Sequence, residues 1–448
     1  MKQTIRPSRP PATAQRVPSG GARNVWPWFV TWRGELAALA LFAFALIVRA
    51  PWVLVFGRFW AEEGTVFLSY AWTHSFLDAL TAPHLGYYNF IPTVAGILGA
   101  HVPLEWAPRL TVAMGLPIQM LPAALILFTT IPGLVTPMRK GMALLLLLVV
   151  PSSPEVLLST ALSHMVLCVV TALILISALG GRIDRVCKWI LLGLAGLTGV
   201  VSIFLTPLFW VQWWRERRRE RVVQALILTC CALLQVIAAS RALSAGERSA
   251  RFDPTVMVGA WYAKFILTPL APARIAYDHL DRLSAGLSAG DSLSIWVWMV
   301  TIVLFAGFLF ACWRAGDRAA LLLVAASLWV AFLSFVLSTG PDTRDKLIAH
   351  LNFGLRYYYA PQILFFLAVM VCIRPGTALP KWAQGLMGVW LCAVLLMGAF
   401  NYACAPLDWP RLFYGPPWAQ QVQQWRQDPS KPLAIWPAGW QVTLPPKP

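Results

Sequence analysis

The sequence predicts an all-α integral membrane protein: a polytopic bundle of about eleven transmembrane helices (9–13) with long outer-face loops. Three observations carry this. Of 448 residues, 58% are hydrophobic and 12% charged, with a mean hydropathy of +0.64, outside the range of ordinary soluble domains. Apolar windows of near-spanning length fall at 36–56, 106–131, 142–158, 163–179, 188–214, 222–243, 293–313, 319–338, 357–373 and 382–401. Lysine and arginine concentrate on alternate connections between these windows. That set is the N-terminal arm, 139–140, 182–188, 215–221, 314–318 and 374–381, with 20 of the 36 basic residues and 5 of the 19 acidic ones. Short basic connections stay inside, so this set is cytoplasmic. The remaining connections hold the other acids and all six histidines. They are also the long ones, so the working face is the outer one.

Taken in order, residues 1–34 are rich in Pro, Arg and Ser and read as a disordered basic cytoplasmic tail. They do not read as a signal peptide, because the charged part is too long and the following apolar run is of spanning length. Residues 35–401 form the transmembrane domain, with a first outer loop at 57–105. Within that loop, 88–104 is apolar but short, with Pro92 and Pro103 near its ends, and reads as re-entrant or interfacial. Window 188–214 is charged at both ends, which one crossing would not allow. Two helices turning near Gly199–Ser202, with Pro207 in the second, restore the parity. Residues 402–448 form a Trp/Pro-rich outer-face cap, whose tryptophans read mostly as an interfacial belt. The N-terminus is thus inside and the C-terminus outside. Eight cysteines show no CxxC or metal spacing, so neither disulfides nor structural zinc is expected. The net charge of +17 sits almost wholly on the cytoplasmic set, where RERRRER at 215–221 reads as an anchor beside anionic lipid rather than a nucleic-acid site.

The chemistry candidates begin at Arg58-Phe-Trp-Ala-Glu62-Glu63-Gly64, directly after the first window. Two adjacent carboxylates at a membrane boundary raise one another's pKa, and partial burial adds to this, so one could take a proton near neutral pH. The competing reading is an acidic first turn that complements the dipole of a following helix.

FWAEEGTVFLSYA, followed by APHLGYYNFIPTVAG, resembles the first loop of bacterial membrane proteins of the GT-C glycosyltransferase superfamily. The pattern there is Trp-x-Glu-Asp-Gly, then Pro-Tyr-x-Gly-Tyr; here Glu63 replaces the Asp and His84 the Tyr. GLRYYYAP at 354–361 and IWPAGWQVTLP at 435–445 extend the resemblance over most of the chain. It implies transfer of a sugar from a polyprenyl-phosphate donor to an envelope glycan or lipid acceptor, on the outer face of a bacterial inner membrane. A first-loop acid is then the base, Glu63 or Glu62, with a lean to Glu63. The lipid phosphate calls for fixed positive charge, for which Arg356 leads, followed by Arg344 and Lys346 in the same outer connection. Snorkelling to headgroups is the alternative role for Arg356. His84, Tyr87 and His164 are further substrate-binding candidates, each weighed against a structural hydrogen bond. No histidine pair has zinc spacing. A cofactor is not required, although a carboxylate with a histidine could hold a divalent cation.

A transporter or flippase would favour internal repeats and ionisable groups at the bilayer midplane, and no repeat is evident. A membrane acyltransferase would need a paired histidine within a helix, and the flanks of His164 do not support one. A non-catalytic assembly component of envelope polysaccharide synthesis shares the expected fold and stays open.

Overall fold

The computed structural model describes residues 32–150, 154–244, 252–337, 348, 351, 354–374, 376–404 and 415–446. Its helices are α1 (Trp32–Arg49), α2 (Pro51–Phe56), α3 (Ser69–Thr73), α4 (Phe76–Thr81), α5 (Phe90–His101), α6 (Ala107–Phe128), α7 (Pro137–Val149) and α8 (Ser163–Ile176). Then come α9 (Arg182–Leu197), α10 (Thr206–Glu216), α11 (Arg219–Ser244), α12 (Pro254–Trp261), α13 (Thr268–Leu270) and α14 (Ala273–Ser288). The last are α15 (Ile295–Arg314), α16 (Arg318–Leu337), α17 (Tyr359–Cys372), α18 (Lys381–Ala403) and α19 (Trp418–Gln427). Among the described residues the only sheet is one two-residue antiparallel pair, β1 (Leu433–Ala434) with β2 (Gln441–Val442).

Among the described residues six stretches are long and apolar enough to cross a bilayer: Ala107–Phe128, Arg219–Ala242, Ile295–Arg314, Arg318–Leu337, Gly354–Cys372 and Lys381–Ala403. Helices satisfy their own backbone groups, which hydrocarbon requires, and the chain is an all-α membrane protein. The other windows are interrupted. Ala50 leaves helical geometry before Pro51, as residues preceding proline do, and splits 36–56 into α1 and α2. α7 stops at Val149, short of Pro151 and Pro154. Window 188–214 is two helices, α9 and α10, separated at 198–201, where Gly199 takes a φ of +76°. α11 fixes their sense. Trp189 bonds Glu220 (2.7 Å) and Gln235 bonds Gly196 (3.0 Å), so α9 runs parallel to α11. Arg221 pairs with Glu216 (3.0 Å) and Trp210 bonds Thr229 (3.0 Å), so α10 runs antiparallel to both.

The core is built on α8 and α17, each buried along all 14 residues, with α16 packed beside α17. α15 and α18 lie outside and expose apolar side chains such as Val303 and Leu396. The basic connections gather at one end of this bundle. Arg139 donates to the carbonyls of Gly133 (3.0 Å), Met370 (3.1 Å) and Ile373 (3.2 Å). Arg221 donates to those of Ile174 (3.4 Å) and Ser177 (2.9 Å), and Lys188 to that of Ala178 (2.8 Å). Cations thus satisfy the open carbonyls at the ends of α8 and α17.

At the opposite end the C-terminal segment closes onto the first loop. Trp418, Val422, Trp425, Leu433, Ile435 and Val442 share a core with Phe59, Leu68 and Leu104. The Trp436 N–H donates to the Phe59 carbonyl (3.0 Å), and Trp418 Nε1 to the Leu104 carbonyl (2.8 Å). This corrects the belt expectation: Trp418, Trp425 and Trp436 are buried in the joint between cap and loop, and the indole N–H groups of Trp418 and Trp425 donate to the carbonyls of Leu104 and Leu444 there. Trp440 is exposed. Trp409 and the arm 1–31 lie outside the described residues.

Candidate functional site

The first loop turns from extended backbone at Phe59–Trp60 into a π-helical turn, Glu63–Leu68, that runs on into α3. Glu63 opens that turn and is buried. Its Oε1 accepts from Ser159 Oγ (3.0 Å), Thr160 N (2.6 Å), Thr160 Oγ1 (2.8 Å) and Ala161 N (3.2 Å). Its Oε2 accepts from Trp60 N (3.0 Å). Burial pushes the carboxyl above the ordinary value, and the donors from Trp60, Thr160 and Ala161 pull it back. Four of the five donors converge on Oε1 and one reaches Oε2, so most of the acceptor capacity of Glu63 is spent on the protein itself. Glu63 is a tie between the first loop and segment 159–161.

That segment is held from behind. Leu158 has a φ of +56°, and α6 lies so close that a Cβ on Gly115 would sit 2.5 Å from the Leu158 carbonyl oxygen. Gln119, one turn further along α6, donates to the Val156 carbonyl. Gly115→Ala is expected to push the segment away from Glu63 and cost about 1–3 kcal/mol. A thermal unfolding midpoint in detergent equal to that of the native protein would contradict this.

Glu62, one residue earlier, is half-buried and acts on a different group of charges. Arg356 Nη1 pairs with Glu155 Oε2 at 2.9 Å, and its guanidinium lies 5.2 Å from the centre of the Tyr357 ring. Glu62 is close enough to influence both Arg356 and Glu155. Burial pushes the Glu155 carboxyl up, Arg356 draws it down, and Glu62 pushes it up again. The fourth member is Lys264, fully buried in the π-helical turn Tyr262–Leu267. Its ammonium donates to the Leu351 carbonyl, and Gln362 on α17 donates to the Lys264 carbonyl, which fixes the turn. Burial pulls Lys264 down to about 7, against the opposing pull of Glu155. Two carboxylates and two cations therefore meet at the head of α17.

The imidazole candidates form a neighbouring group. His164 Nδ1 lies 3.0 Å from the carbonyl of Ala161, whose N–H reaches Glu63. Its ring is 6.3 Å from that of Tyr87, and it packs on Gly199, where a Cβ would come within 2.9 Å of the His164 Cβ. His84 exchanges backbone hydrogen bonds with Tyr87 and sits edge-on to Tyr70 at 4.7 Å. Burial, with His74 nearby, pulls His84 below its ordinary value. Gln235 on α11 ties this group to the bundle, bonding Tyr88 N (2.9 Å), Tyr88 O (2.9 Å) and Gly199 O (3.3 Å).

The structure thus brings Glu62, Glu63, Arg356, His84, Tyr87 and His164 to one end of the bundle, around the start of α8 and α17. Arg344 and Lys346 lie outside the described residues. No role was assigned to Glu155 or Lys264 from the sequence. A lone lysine within MVGAWYAKFILTPL was the available signal, since ionisable groups in apolar stretches have specific partners. Among the described residues no three His, Cys, Asp or Glu side chains converge as metal ligands. No protein-family model and no curated protein matches this chain.

Proposed function

We propose that the chain is a membrane glycosyltransferase of GT-C type, moving a sugar from a polyprenyl-phosphate donor to an envelope glycan or lipid acceptor. The observation that carries this reading is the Glu62, Glu155, Arg356 and Lys264 group at the head of α17. A transferase with a lipid-phosphate leaving group needs a base for the acceptor and fixed positive charge for the phosphate, and this group contains both. Arg356 offers a planar fork to the phosphate and Lys264 a point charge behind it. Glu62 removes the proton from the acceptor hydroxyl as its oxygen attacks the anomeric carbon. The bond to the phosphate oxygen breaks on the far side, which inverts the sugar. Glu63 holds the loop through its bonds to Ser159, Thr160, Ala161 and Trp60.

The proposed setting is a bacterial inner membrane, with the basic end of the bundle in the cytoplasm and the site outside. The N-terminus is then inside and the C-terminal cap outside, and the interrupted helices α1 and α7–α10 bring the crossings to about eleven.

The reading is tested by transfer of labelled sugar from polyprenyl-phosphate donors by purified protein in proteoliposomes. Transfer supports it; none across a broad donor and acceptor panel moves the transport or assembly role ahead. The assay also has a pH signature. Lys264 is protonated below about 7, so donor binding is strongest there and weakens as pH rises through that value. The donor KM is expected to rise over that range in the native protein, and to be flat in Lys264→Met.

A further inference from the structure

The end of the bundle opposite Glu62 holds a cavity of about 380 Å³, where α8 and α17 finish and α11 and α16 begin. Arg221, Arg318, Arg374, Glu216 and Asp317 line it, with Leu322 on its apolar side. Two of the arginines are neutralised by the acids in the wall. Arg221, itself buried, pairs with Glu216 at 3.0 Å, and Arg374 with Asp317 at 2.7 Å. Asp317 is further committed to α16, where its Oδ1 accepts from the N–H groups of Ala319 (2.9 Å) and Ala320 (3.1 Å). Arg318 is exposed and has no hydrogen-bond or ion-pair partner among the described residues. Behind it, Arg139 stands close enough to Arg374 for the two guanidiniums to repel each other.

The walls therefore carry one more positive charge than negative, beside a surface whose other connections are also basic. Both acids are already spent on arginines and backbone, so the surplus has no counter-ion among the described residues. An anion with several acceptor oxygens suits converging guanidiniums, and the volume leaves room for more than the anion alone. Basic pockets between transmembrane helices take lipid headgroups for these reasons. We propose that this cavity binds a phosphoryl group, supplied by an anionic phospholipid of the adjoining leaflet or as free phosphate. The proposal is independent of the chemistry at the other end.

The test uses the full chain in detergent, titrated with phosphatidylglycerol, phosphatidylcholine or inorganic phosphate, with binding read by native mass spectrometry and thermal midpoint. Arg318→Gln removes the free cation. Arg314→Gln removes an equal charge from the same connection without touching the cavity, and both side chains are exposed, so both variants fold. Phosphatidylglycerol is expected to bind in preference to phosphatidylcholine, and Arg318→Gln to weaken it roughly tenfold, with Arg314→Gln near native. Stabilisation by inorganic phosphate alone, lost in Arg318→Gln, assigns the free anion instead of the lipid. Equal losses in the two variants reduce the effect to diffuse surface charge and overturn the proposal. So does a native protein that responds to none of the three.

Discussion

Glu62→Gln is expected to leave a folded, membrane-inserted protein with sugar transfer reduced about 100- to 10,000-fold, the usual worth of a positioned general base. Glu62 is half-buried and acts on Arg356 and Glu155 without closing an ion pair with either, so its loss costs little stability. The amide keeps the size of the side chain and removes the proton acceptor. The loss is therefore expected in kcat, with the donor KM close to native. The comparison that decides is with Glu63→Gln. Its amide oxygen can still face Ser159, Thr160 and Ala161, and only the Trp60 N–H loses its acceptor. Glu63→Gln should retain substantial transfer. A folded but inactive Glu63→Gln beside an active Glu62→Gln would reverse the two roles.

Glu63→Ala is the largest expected effect on stability. It orphans donors from Trp60, Ser159, Thr160 and Ala161 in a buried site, and the cost is on the order of 3–5 kcal/mol. The first loop also carries the cap, through the backbone bonds of Trp436 to Phe59 and Ala61, so the release spreads to that joint. Size-exclusion chromatography and limited proteolysis are expected to show loss of monodisperse protein and cleavage between 415 and 446. A monodisperse, protease-resistant Glu63→Ala would mean that the tie is dispensable.

What was legible in the sequence followed from patterns that repeat. The gathering of Arg139, Lys188, Arg221 and Arg374 at one end was readable because each lies in an alternate connection, and the turn at Gly199 because two charged ends required it. The interrupted helices were harder. Pro51 and Pro154 sit inside apolar runs, and hydropathy averages over a single proline that ends a helix. The cap tryptophans were misjudged for a different reason. Their placement depends on a partner surface, made by Phe59, Leu68 and Leu104, hundreds of residues away in sequence. Between Glu62 and Glu63 the resemblance leaned to Glu63, but neighbouring side chains on a helical turn point about 100° apart and only the fold says what each meets. Lys264 carries no motif; its meaning comes from Glu155 and Arg356, in two other parts of the chain.

The 14 residues of α8 set a distance with a wider consequence. At 1.5 Å per residue the helix is about 21 Å long, against about 30 Å for the hydrocarbon of a bilayer. The Glu63 cradle precedes its first residue, and the arginine-lined cavity begins at its last. The two sites cannot both lie at headgroup level, and any tilt of α8 brings them closer to the midplane. A voltage across the membrane therefore falls over a short column with charged groups at both ends. Moving one charge through the full drop is worth about 2.3 kcal/mol per 100 mV. Under the proposed function, ionic chemistry at a recessed end of that column would draw on part of this energy, and sugar transfer in proteoliposomes is expected to respond to an imposed potential.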